Sequence, residues 1–88
     1  MSKTLNVIIY QYQQEKFIDF NSLLYVCSPK NQESTMRSKI WRHMLRNKYN
    51  TVNYCNKILY PINQILNDTK LIEMMSRPEE LLAAIKES

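Results

Sequence analysis

The chain contains no glycine in its 88 residues. Glycine supplies positive φ and close backbone approach. A phosphate-binding P-loop and a G-x-G-x-x-G dinucleotide turn are therefore excluded. Tight two-residue hairpin turns become less favourable, with asparagine the usable substitute at some positions. Cysteine is also sparse: Cys27 and Cys55 stand far apart with no C-x-x-C pair. They are expected to be buried reduced thiols. His43 is the single histidine, so a four-ligand zinc site would need a carboxylate as well. No metal or other cofactor is predicted. No stretch approaches the roughly 18 apolar residues of a membrane span. Met1–Leu5 is polar and the apolar run Val7–Tyr10 is too short for a signal peptide. A soluble, intracellular protein of the cytoplasm or nucleus, with no membrane association, is the expectation.

Negative charge is missing from one long window. Between Glu33 and Asp68 there is no acidic residue, but Arg37, Lys39, Arg42, Arg46, Lys48 and Lys57 all fall there. Half of the 12 cations thus occupy a stretch that holds none of the eight acids. A concentrated basic field of this kind attracts a polyanion, and nucleic acid is the commonest.

The length suits one small domain, residues 1–88. Leu5–Tyr12 is β-branched and aromatic, which predicts a strand. Gln13–Lys16 reads as a turn and Phe17–Phe20 as a short returning strand. A helix can start from Asp19 or Asn21 and carry Leu23, Leu24 and Cys27 inward. Ser28–Glu33 reads as a loop around Pro29. Ser34 or Thr35 caps a strong helix that ends near Tyr49 or Asn50. Thr51 is expected to cap a helix over Val52–Leu59, with Pro61 kinking it or opening another. Asp68 or Thr69 caps Lys70–Met75. Ser76-x-x-Glu79 reads as a capping box for the last helix. No internal repeat is evident. The pattern predicts a mainly α domain of four to five helices with a short N-terminal β element, α+β being the alternative.

The helix over 36–49 carries the functional expectation. At about 100° per residue, Met36, Ile40, Met44, Trp41 and Leu45 cover one half of its wheel. Lys39, Arg42, His43 and Arg46 fall together on the opposite side, with Arg37 and Lys48 within the apolar arc. Like charges spaced i,i+4 cost a few tenths of a kcal/mol, a cost that a bound anion offsets. Arg42 and Arg46 are the expected bidentate donors to phosphate or guanine. Arg37, Lys48, Asn53 and Lys57 flank them. Helix, turn, helix over 36–59 would also have helix-turn-helix proportions.

The run Lys16-Phe17-Ile18-Asp19-Phe20-Asn21-Ser22-Leu23-Leu24 resembles the strand-to-helix entry of KilA-N or APSES-type DNA-binding domains. Those domains also continue to a helix bearing a tryptophan. The likeness covers about nine residues. The glycine before the strand is missing here, and no functional residue is carried over from it.

No catalytic constellation assembles. Glu15, Asp19 and Glu33 are scattered over turns, and no local signature pairs Cys27 or Cys55 with His43. The preferred expectation is a small non-enzymatic DNA-binding protein, DNA favoured over RNA, of the transcription-regulator kind. The alternative is a protein–protein interaction module, such as a viral or phage-type protein docking on a host factor. Its interface would be Leu71, Met75, Leu82 and Ile85, or the apolar residues near Tyr54–Tyr60, and its partner an acidic or apolar protein surface or a second copy in a homodimer.

Overall fold

The computed structural model describes residues 6–27 and 35–88. The predicted Ser28–Glu33 loop, the Ser34 cap and Met1–Leu5 lie outside them. Among the described residues nine elements follow one another: β1 (Ile9–Tyr12), β2 (Glu15–Asp19), α1 (Phe20–Val26), α2 (Thr35–Lys48), β3 (Val52–Tyr54), β4 (Lys57–Pro61), α3 (Ile62–Leu66), α4 (Thr69–Glu73) and α5 (Pro78–Glu87). The four strands form one antiparallel sheet in the order β1-β2-β4-β3.

The fold is therefore α+β, with a four-stranded half-barrel sheet, and not mainly α with a short N-terminal β element. The predicted helix over Val52–Leu59 is the second hairpin, β3–β4. The cause is burial on both faces of β4. Leu59, Tyr60 and Pro61 are all buried, so the strand shows no alternation of apolar and polar residues. A short continuous apolar run cannot be told from a buried helix by its period. The pleat then sorts neighbours to opposite faces. Ile18 and Tyr60 join the main core with Leu23, Val26, Trp41, Leu45, Ile65, Leu71 and Leu81. Phe17 and Leu59, equally buried, point to the other face. There the sheet curls so far that Tyr12 of edge strand β1 meets Tyr54 of edge strand β3, ring centroids 5.7 Å apart.

The two hairpins are copies of one plan. Each strand pair turns through two residues of positive φ, Gln13 and Gln14 (51° and 67°) and Cys55 and Asn56 (51° and 65°). Positive φ at both central residues is the type I′ turn, whose twist matches a hairpin. It forms here without glycine. β2 and β4 each pass from an exposed residue through a half-buried one to three buried ones, then lead directly into a helix. The same sequence offset relates Tyr12 to Tyr54, Phe17 to Leu59, Ile18 to Tyr60, Asn21 to Asn63 and Leu23 to Ile65. In the β2–β4 ladder Ile18 faces Tyr60, its own counterpart, while Phe17 faces Pro61 and Asp19 faces Leu59. That register is what a local two-fold axis through the Ile18–Tyr60 pair imposes. A structural repeat is thus present where no sequence repeat was evident, because only burial and turn position recur.

Asp19 caps α1, accepting from the Ser22 backbone N–H at 2.9 Å and from the Tyr10 hydroxyl at 2.7 Å. Burial and the Asp19 carboxylate push the Tyr10 phenol up to about 12. Asp68 caps α4 through the Leu71 N–H at 3.2 Å and also binds Lys48 at 2.6 Å and the Tyr49 hydroxyl. It thereby ties the end of α2 to α4. The predicted capping box at Ser76 does not form: α5 begins at Pro78, and the Ser76 hydroxyl donates to the Cys27 carbonyl at 2.9 Å. Arg77 donates to the Tyr25 carbonyl at 2.6 Å and lies over the Tyr25 ring, joining α5 to α1. Lys16 donates to the Ile85 carbonyl at 3.0 Å, placing a cation at the negative end of α5. Cys27 is a buried free thiol, pushed up to about 12 by burial. Cys55 is exposed in its turn, contrary to the expectation of two buried thiols. Among the described residues, no helix is long and apolar enough to cross a membrane.

Candidate nucleic-acid interface

α2 is helical as predicted, but it is rolled. Its buried stripe is Trp41, Leu45 and Tyr49. Met36, Ile40 and Met44, predicted to anchor it, are exposed. The sequence offers two parallel apolar stripes, one turn apart along each. The core takes the one with the two large aromatic rings, which bury more apolar area. The helix therefore faces inward roughly a quarter turn away from the expected direction. Lys39, Arg42 and Arg46 consequently occupy one flank, and only His43 turns to the outermost face.

That flank meets the second hairpin. The Arg42 guanidinium lies over the Phe20 ring, 4.5 Å from its centroid, in a cation–π contact. A recess of about 190 Å³ beside it is lined by Asp19, Asn21, Arg42, Asn56, Lys57 and Tyr60 among others. The turn of β3–β4 thus delivers Asn56 and Lys57 to the same place as Arg42. Among the described residues Asp19 is the one carboxylate lining the recess, and both its oxygens are occupied by Ser22 and Tyr10. Among the described residues, Lys39, Arg42, Arg46 and Lys57 form no ion pair. The Tyr60 hydroxyl is buried with no hydrogen-bond partner among the described residues. Burial raises its phenol, and Arg42 and Arg46 oppose that rise, so both cations act on the same buried oxygen.

The predicted residues divide as follows. Lys39, Arg42 and Arg46 share the flank and His43 lies beside it on the outermost face, all exposed. Lys57 joins them through the hairpin. Asn53 sits opposite Ile58, on the sheet face that borders the recess. Arg37 falls on the other flank of α2. Lys48 is engaged by Asp68 and lies 5.8 Å from the Tyr49 ring centroid, so it belongs to the joint between α2 and α4. Phe20, Asn21 and Tyr60 were missed, while Asn56 is one of the asparagines after the basic helix that suit phosphate or base-edge contact. The Asn56-Lys57 pair could have been found as a hairpin turn, since asparagine tolerates positive φ. Phe20 left no signal, because it reads as a plain core residue, and Tyr60 falls in the Tyr54–Tyr60 stretch expected to be exposed for a partner, yet it is fully buried. Of the predicted partner interface, Leu71 is buried, and Met75 and Ile85 pack against the core. Leu82 alone of the four is exposed.

Among the described residues, no group of His, Cys, Asp and Glu could hold a metal ion. Comparison of the chain with known protein families, with curated proteins and with solved structures finds no match.

Proposed function

We propose that this chain is a non-enzymatic nucleic-acid-binding protein that holds duplex DNA between the cationic flank of α2 and the turn of β3–β4. The observation that supports this reading is the meeting of Arg42 and Lys57, from distant sequence positions, at one recess with its carboxylate internally occupied. Arg42 is held by Phe20, so its fork is oriented before a ligand arrives. Pre-orientation of that kind lowers the entropic cost of a phosphate contact. Lys57 supplies a point charge, and Asn21 and Asn56 supply amide donors. Lys39, His43 and Arg46 extend the row along about 10 Å of helix, at about 1.5 Å per residue. A helix of this width enters the roughly 12 Å major groove of B-form DNA, whereas the A-form RNA groove is too narrow.

A mobility-shift titration with generic duplex at two salt concentrations tests the reading. Affinity is expected to fall steeply with salt. Arg42→Ala with Arg46→Ala should weaken binding and flatten the log–log salt slope by roughly two units. Lys57→Glu should weaken it by about tenfold or more, and Arg37→Ala should do far less. Equal binding by the double variant at low salt would overturn the assignment.

A further inference from the structure

The other flank of α2 is apolar and open. Met36, Ile40 and Met44 keep 69%, 56% and 61% of their surface exposed. Beyond Met44 the stripe continues into a groove of about 590 Å³ between α2 and α4. Buried Trp41, Leu45 and Leu71 line it, with Met74, Lys48 and Lys70 at its rim. The exposed stripe runs about 12 Å from Met36 to Met44, at about 1.5 Å per residue, before it reaches the groove. Helix-in-groove partners anchor through i, i+4 and i+7 residues over such a distance. Methionine suits the role because its unbranched side chain adapts to the face it meets.

Charge decides what kind of helix fits. α2 contains no acidic residue from Thr35 to Lys48. Lys70 and Lys48 edge the groove, Lys48 with its charge offset by Asp68. Of the carboxylates beside the groove, Asp68 is occupied by Lys48, Tyr49 and the Leu71 N–H, and Glu73 stands at the end of α4, outside the described residues that line the groove. A second copy docked through the same face would bring one cationic α2 against another. An acidic occupant gains where that copy would be repelled. We propose that the groove between α2 and α4 receives an amphipathic helix of a partner protein, apolar on one side and acidic on the other. The site is separate from the nucleic-acid flank and does not depend on it.

Trp41 is the only tryptophan and lines the groove, so its emission reports occupancy directly. The full chain is titrated with a synthetic helix of about 16 residues carrying leucine on one face and glutamate on the other. A control helix has lysine in place of glutamate. The acidic helix should shift Trp41 emission saturably, and the basic one should bind at least about tenfold more weakly. Met44→Glu should weaken the acidic helix by about tenfold or more, and Lys70→Glu by about threefold. Met44 is exposed, so the variant should keep the wild-type melting curve, which circular dichroism verifies. Arg42→Ala with Arg46→Ala should leave this titration unchanged. Four results overturn the proposal: equal binding of both helices, binding of neither, an emission shift with anionic phospholipid vesicles in place of the acidic helix, or a concentration-dependent dimer that Met44→Glu dissociates.

Discussion

The first hairpin–helix unit, Ile9–Val26, and the second, Val52–Leu66, follow one plan and differ in how each is tied down. In the first, Asp19 caps the helix and accepts from Tyr10 of the same hairpin, so the unit is stapled from within. In the second, Pro61 occupies the equivalent position and makes no side-chain cap bond. Its helix has five residues against seven. The tie is displaced to Asp68, which reaches out to α2 and α4. The residue after each turn also changes sign, Glu15 in one unit and Lys57 in the other. A shared scaffold therefore presents a cation toward α2 from one side only. Single side chains thus give two near-identical backbone plans different ties and different surface charge.

The axis pair offers the sharpest way to break the symmetry. Ile18 and Tyr60 are both fully buried. Ile18→Ala should cost about 3 kcal/mol by removing core contacts at the sheet centre. Urea unfolding followed by circular dichroism measures it, and a loss below about 1 kcal/mol would mean the site collapses freely. Asp19→Ala should cost roughly 1–2 kcal/mol, since it strips a cap from α1 and a partner from Tyr10. In the parent protein the raised Tyr10 phenol favours the fold with its proton on. That contribution is complete below the ordinary phenol range and is lost as pH rises through about 12. The Asp19→Ala variant should lack that part of the alkaline loss.

The tie of the second unit is sensitive at the acid end of the pH scale as well, while burial and Asp68 raise the Tyr49 phenol, so it shares the alkaline loss. Hydrogen bonds from Lys48 and Tyr49 hold Asp68 down to about 2. A depressed carboxylate stabilises the fold fully above its ordinary value near 4, and that contribution disappears as pH falls through about 2. Acid unfolding followed by Trp41 emission should begin at the α2–α4 joint. Asp68→Asn should lower stability at neutral pH and flatten the acid limb, and an unchanged limb would place the acid sensitivity elsewhere. The turns offer a smaller contrast. Replacing Gln13-Gln14 by Asn-Gly should stabilise the protein by roughly 0.5–1 kcal/mol, because glutamine pays sterically for positive φ. The same replacement at Cys55-Asn56 should gain less, since asparagine already tolerates that region. The smallest effect belongs to Tyr60→Phe. It removes an unpaired buried hydroxyl, so stability should hold or rise slightly, read as a melting temperature.

Much of the chain was legible before any coordinates. The strand at Ile9–Tyr12, its return through Phe17, the Asp19 and Asp68 caps and the long basic helix each rest on local chemistry: β-branched runs, short acceptor side chains and an apolar period of helical length. The second hairpin was not legible. Ile58–Pro61 is apolar throughout because helices cover one sheet face while the curl closes the other, and that double burial erases the two-residue period.

By itself the order of residues determined that cations cluster on a helix at 35–48 and that acids stay away from it. It also determined that glycine-dependent phosphate loops are impossible. Tertiary structure decided which stripe of that helix turns inward, because Met36–Ile40–Met44 and Trp41–Leu45–Tyr49 are equally periodic and only packing against Phe20, Tyr60 and Leu71 separates them. The same choice brought Lys57 beside Arg42. Local propensity acts over one or two turns of chain, whereas that juxtaposition depends on a sheet pairing β2 with β4 from opposite halves of the sequence.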